Sequence, residues 1–219
     1  VIGIIVTLLV GSFPFIFVRG QQPLSLKDGF LTIVLSWVLS FIFGMMPYVL
    51  YGAEFPLMNA WFASVSGFTT TGSTILNDIE ALPKSLLFWR SSTHYIGGLG
   101  VVVFLLLVIP SASPYRLKLT NMEMSSLSKD GYRYTSTKVV RIITTVYASL
   151  TVLALLSLWA AGMPFFDAIN HAFSIAATGG FSTKNLSVGA FNSDLINIIV
   201  LIFMAVCAMH FGLIYAVFV

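Results

Sequence analysis

Charge is what this chain has least of. Only 9 % of its 219 residues are Asp, Glu, Lys or Arg, while 58 % are hydrophobic, against about a quarter charged in ordinary soluble domains. That balance excludes a soluble globular domain and defines an integral membrane protein. Cysteine is nearly absent too. With Cys207 alone, inside an apolar run, no disulfide framework or cysteine zinc site can form within one chain. No pair of carboxylates, no Cys/His pair at ligand spacing and no Ser/His/Asp set at a shared membrane depth is found, so an enzyme reading finds little support. The net charge of +3 comes from a few local clusters, and nothing in it calls for nucleic acid.

What the chain does have is long apolar runs. Residues 1–18, about 30–51, 86–109, 139–161 and 195–219 are each long enough to cross a hydrocarbon core of about 30 Å. The first of them lacks a basic leader and a convincing small-residue cleavage site, so it is read as a spanning helix rather than a secretory signal. The chain opens and closes inside apolar runs, which gives the expectation of a piece of something longer. Residues 111–138 are the longest polar segment and carry Arg116, Lys118, Lys129, Arg133 and Lys138 against Glu123 and Asp130. That basic excess assigns the segment to the cytoplasmic side. Loops one crossing away hold Glu54, Asp78, Glu80, Asp167 and Asp194, with Lys84, Arg90 and Lys184 as their only bases, and agree with this orientation.

Between the spans lie two shorter runs, 56–68 and 164–176. At 1.5 Å per residue such a helix reaches only about 20 Å, enough to enter a membrane but not to cross it. The first leads into Ser66-Gly67-Phe68-Thr69-Thr70-Thr71-Gly72-Ser73-Thr74, a polar stretch at a depth where backbone must line a cavity or be buried in protein. The second leads into Ala177-Thr178-Gly179-Gly180-Phe181-Ser182-Thr183. A shift of 108 residues places Pro56 on Pro164, Ala60 on Ala168, Ser66 on Ser174, Thr70 on Thr178 and Gly72 on Gly180 without a gap. The chain therefore contains two copies of one unit.

Each unit reads as helix, short helix, extended polar loop, helix. On the orientation above, the carboxyl end of each short helix points into the membrane and its partial negative charge favours a cation. A dehydrated monovalent cation needs several oxygen ligands, and rings of backbone carbonyls from extended loops supply them. Glycine lets such a backbone turn its carbonyls to an axis. Thr70, Thr71, Gly72 and Ser73 in the first loop, and Thr178, Gly179, Gly180 and Phe181 in the second, meet that requirement and are the candidate ion-filter residues.

Three motifs in order, Ser66 to Thr74, Trp89-Arg90 with Ile96-Gly97-Gly98-Leu99-Gly100, and Ala177 to Thr183, resemble the membrane subunit of the Trk/Ktr/HKT superfamily of potassium transporters, and most closely its TrkH branch. The resemblance covers nearly the whole chain. It implies an all-α integral membrane fold of tandem helix–pore loop–helix repeats of the K⁺-channel-like type, with re-entrant half-helices and extended filter loops. Four such repeats would make one pore, in a homodimer in the bacterial inner membrane, with a cytoplasmic nucleotide-binding regulatory subunit resembling TrkA. The transported ion would be K⁺, with Rb⁺ and Na⁺ as related cations, and no cofactor is implied. Under this reading residues 1–28 hold the end of a preceding helix and a cytoplasmic linker, 29–110 the first repeat, 111–138 the basic loop and 139–219 the second repeat. The third and fourth repeats are missing. Gly72 and Gly180 match the filter glycines of the first two.

Two other functions fit the pattern of broken helices: a Na⁺- or H⁺-coupled potassium symporter, and a non-conducting membrane scaffold. Gly97-Gly98-Leu99-Gly100 lies in an apolar run with no preceding strand, so it is read as a site of close helix packing rather than a nucleotide loop. His94 is expected at the membrane interface and His171 in the interior with its hydrogen bonds satisfied. His210, deep in the last apolar run, is a functional candidate, and Glu123 is read equally as a family-like acidic position or a solvated carboxylate.

Overall fold

A computed structural model describes residues 26–52, 55–108 and 136–209. The expectations for Val1 to Val18, Glu123, His210 and most of the basic loop lie outside them. Six α-helices are described: α1 (Leu26–Tyr51), α2 (Leu57–Phe68), α3 (Lys84–Val108), α4 (Ser136–Ala160), α5 (Phe165–Ala176) and α6 (Asp194–Cys207). A 3₁₀ turn, Ser187–Phe191, precedes α6, and no strand occurs among the described residues.

By length and apolar composition α1, over Lys27–Tyr51, and α4, over Val140–Ala160, can cross a membrane. Phe30, Leu31, Val34, Leu35 and Val38 of α1 are exposed, the apolar covering a helix presents to hydrocarbon. Pro47 lies inside α1 and cannot donate to the helix ladder. Close by, Trp89 Nε1 donates to the Gly44 carbonyl at 3.0 Å, and Ser64 Oγ donates to the Phe41 carbonyl at 2.8 Å. Polar ties of this kind join helices where apolar contact alone gains little over lipid.

Helices α2 and α5 start directly after Pro56 and Pro164 and are 12 residues each. A proline just before the first turn loses no helical hydrogen bond there. Each unit has its own core. Tyr48, Phe55, Ala60, Ala63, Leu82, Leu86 and Leu87 fill the first, while Ile142, Val146, Leu150, Leu158, Met163, Ala168, Ile196 and Val200 belong to the second. The units join through α3, which packs against α2 of its own unit and against α4 and α5 of the other.

The start of α4 at Ser136 takes three residues from the segment expected to be loop. Helix α6 is described to Cys207 with Ala208 as its cap, and the rest of the span expected to reach 219 lies outside the described residues.

Candidate ion-pathway site

The two polar loops leave their helices in the same way. Thr70 N–H donates to the Gly67 carbonyl at 3.0 Å and Thr71 N–H to the Ser66 carbonyl at 3.0 Å. In the second unit Thr178 N–H donates to the Ile175 carbonyl at 2.9 Å and Gly179 N–H to the Ser174 carbonyl at 2.8 Å. This paired reversal is the Schellman ending, which puts the residue after the cap in the left-handed region. Thr70 (φ 54°) and Thr178 (φ 50°) occupy it. Glycine is usual there, and a β-branched residue is strained. The 108-residue repeat thus extends to individual hydrogen bonds and dihedral angles.

Beyond the reversals the loops run without regular structure, and serines from the short helices hold them. Ser66 Oγ donates to the Ser73 carbonyl at 2.7 Å, and Ser174 Oγ accepts from Gly180 N–H at 2.9 Å. The loops then meet at their glycines. A Cβ on Gly72 (φ +74°) would stand 3.1 Å from Gly180 Cα and 3.2 Å from Gly180 N, so main chain faces main chain with no side chain between. Thr71, Ser73, Thr178 and Gly180 are exposed, Thr70, Gly72 and Gly179 half-buried, and the Phe181 side chain is buried. A cavity of about 310 Å³ flanks the second loop, lined among others by His171, Ser174, Thr178, Gly180, Val200 and Met204.

Helix α3 stands behind both loops. A Cβ on Gly97 would collide with the Phe68 carbonyl oxygen, so the glycine pair serves close packing, as its setting in an apolar run indicates. One and two turns earlier, His94 and Arg90 reach the second loop. The His94 ring stacks on Phe181 at 4.1 Å between centroids, tilted by 11°, and its Nδ1 lies 3.3 Å from Ser174 Oγ. Arg90 places its guanidinium 4.2 Å from the centre of the same ring and its Nη1 3.5 Å from Thr74 Oγ1 on the first loop. His94, expected at the membrane interface, is packed inside the protein against the second loop. It is fully buried, because the second loop passes over it. His171 does sit in the interior with its bonds satisfied, Nδ1 to the Asp167 carbonyl at 2.7 Å and Nε2 to Ser182 Oγ at 3.0 Å.

On the side where the loops emerge, the units are tied together again. Asn185 Oδ1 accepts from Ile79 N–H at 2.7 Å, and its Nδ2 donates to Asp78 at 2.8 Å. Lys184 Nζ meets Glu80 at 3.1 Å. The Asn185 amide holds the Asp78 carboxyl below its ordinary range, and the Lys184 ammonium does the same for Glu80, helped by the Asn185 backbone N–H. Among the described residues no group of three His, Cys, Asp or Glu side chains could hold a metal ion; the oxygens of the two polar loops are carbonyls and hydroxyls. Arg90 and the Asn185 tie were missed as site features by sequence reasoning. The adjacency of Arg90 to Trp89 in a motif was the one available signal, and Asn185 gave none.

Duplicated helical units with converging polar loops define an α-helical membrane protein of the transport class. The family described as TrkH, cation transport protein, matches residues 1–219, and this chain belongs to that family. Among relatives, the Trk system potassium uptake protein TrkH of Salmonella typhimurium is 38 % identical over 199 residues, 89 % of this chain and 41 % of that protein. TrkG of Escherichia coli K12 is 36 % identical over 195 residues, 87 % of this chain and 40 % of its own length. The crystal structure of the potassium transporter TrkH from Vibrio parahaemolyticus superposes with a TM-score of 0.82 at 32 % identity, covering 99 % of this chain and 43 % of that one. The chain thus spans about two fifths of the length of the relatives it matches.

Proposed function

We propose that this chain supplies two of the pore segments of a potassium uptake protein, with a K⁺ filter made from main-chain oxygens of Thr70, Thr71, Gly72 and Ser73 and of Thr178, Gly179, Gly180 and Phe181. The observation that carries the reading is the approach of Gly72 to Gly180, main chain to main chain, from loops equivalent in the repeat. Carbonyls on loops that meet at glycine can replace a hydration shell without a charged side chain. The names of the relatives supply the ion.

In this proposal residues 29–110 and 139–219 are the first two of four repeats, 111–138 is a cytoplasmic loop, and the remaining repeats complete the ring. The working protein is a homodimer in the bacterial inner membrane, regulated by a TrkA-like nucleotide-binding subunit. It admits K⁺ and Rb⁺ in preference to Na⁺.

The test uses bacteria lacking their own potassium importers, supplied with the whole gene that contains this segment. Gly72→Ser and Gly180→Ser are expected to lower the ratio of Rb⁺ to Na⁺ uptake while the protein still reaches the membrane. Unchanged ratios in both variants would remove these loops from the filter.

A further inference from the structure

A buried guanidinium is expensive in a membrane protein and needs an explanation. Arg90 is 2 % exposed, so it does not reach out to water by extending its stem, as arginines near helix ends commonly do. Among the described residues no carboxylate pairs with it. Its Nε and Nη2, and Nε2 of His94, have no protein hydrogen-bond partner there. A methionine or leucine would fill much of this space without the desolvation cost, so packing alone does not account for an arginine.

What Arg90 does touch is specific. Its Nη1 reaches Thr74 of the first loop and its guanidinium faces the Phe181 ring of the second, the same ring on which His94 is stacked. Two side chains one helical turn apart on α3 thus engage one aromatic ring. The backbone of Gly179 lies against His94 as well, since a Cβ there would strike the imidazole. Phe181 belongs to the second unit, and Arg90 and His94 to the first. The second loop, tied to its own unit by Ser174, is therefore also held from outside it.

We propose that Arg90 is a positioning residue for ion discrimination: by joining Thr74 of one loop to Phe181 of the other, and with His94 against the same ring, it fixes the spacing at which Gly72 and Gly180 face each other. This rests on the filter reading above. A cation is held by a desolvated aromatic face through the ring quadrupole, and cation selectivity depends on the number and placement of oxygens around the ion. A small displacement of one loop changes that placement without abolishing passage.

The experiment measures Rb⁺ and Na⁺ uptake by the whole protein in the same importer-deficient bacteria, with membrane abundance measured in parallel. The variants are Arg90→Met, Arg90→Lys, Phe181→Leu and the double Arg90→Met/Phe181→Leu, with Gly72→Ser as the control for the filter itself. Arg90→Met is expected to lower the Rb⁺ to Na⁺ ratio roughly tenfold, about what a loss of 1.4 kcal/mol would give. Arg90→Lys should restore most of the ratio, since an ammonium keeps the contact to the ring. The double variant should be no worse than the worse single one, because both break the same link. If Arg90→Met fails to reach the membrane, Phe181→Leu with Arg90 intact decides by the same ratio. A normal ratio in Arg90→Met, or in Phe181→Leu where that decides, while Gly72→Ser shifts it, overturns the positioning role. A ratio unmoved by Gly72→Ser and by Gly180→Ser measured beside it overturns the filter reading instead.

Discussion

Threonine at a left-handed position is unusual, and here it occurs twice at equivalent places. The strain at Thr70 and Thr178 is on the order of 1 kcal/mol or more each, and Gly72 two residues on also has positive φ. Opposite responses follow. Thr70→Gly removes the strain at the cost of a more flexible unfolded chain, and is expected to leave the melting temperature unchanged or raise it slightly. Gly72→Ala adds a Cβ at positive φ against the Gly180 backbone, and is expected to destabilise by about 1–3 kcal/mol. Thermal unfolding of the whole protein in detergent measures both, and a Gly72→Ala protein as stable as its parent would contradict the close approach. At this scale the sequence was half legible. The polar run and its glycines stand out against apolar surroundings, so Thr70 to Ser73 and Thr178 to Phe181 could be singled out by type. Arg90 could not be so singled out, because one arginine near the start of an apolar helix looks interfacial until the loop that covers it is in view. The burial of His94 was hidden for the same reason.

Elements were more legible than their contacts. Pro56 and Pro164 mark the starts of α2 and α5, and the apolar runs mark α1, α3 and α4 to within a few residues. The 3₁₀ turn Ser187–Phe191 was not foreseen, since a five-residue turn has no periodicity to read. The Asn185 tie was equally hidden, its partners being more than 100 residues away in the chain. It carries a pH prediction. Asp78 and Glu80 both have carboxyls depressed by partners in the folded state, so the tie contributes fully above the ordinary carboxylate range of about 4 and is lost as the pH falls through the depressed values. Amide exchange of the segments around Ile79 and Asn185 should stay slow from neutral pH to mild acid and quicken only below that range. Asn185→Ala should quicken both segments at neutral pH. Glu80 is exposed and Lys184 half-buried, so high salt should weaken their pair. Equal exchange in parent and variant would count against the tie.

At the scale of the molecule the duplication was legible from five matched positions in one window, and the structure carries it down to matching hydrogen bonds. What the repeat could not reveal is that the units interlock. A unit read from sequence looks self-contained, with its own helices, loop and core, whereas α3 of the first supports the loop of the second. The two halves should therefore reassemble if the chain is cut between them. Expressing the whole gene as two polypeptides, divided within 111–138, is expected to restore Rb⁺ uptake only when both are present, and Arg90→Met in the first piece should weaken their co-purification. Uptake by either piece alone would show that the units do not depend on one another.

The interlock also bears on descent. In a tandem duplication the contact from Arg90 to Phe181 lies within one polypeptide. In an ancestor made of separate single-unit subunits, the same contact would have run from each subunit to the next. Fusion of the genes would then have kept an old subunit boundary as an internal seam, and once the neighbours were joined each copy was free to diverge. Arg90 and its counterpart by the repeat, Ile198, differ as such a history allows.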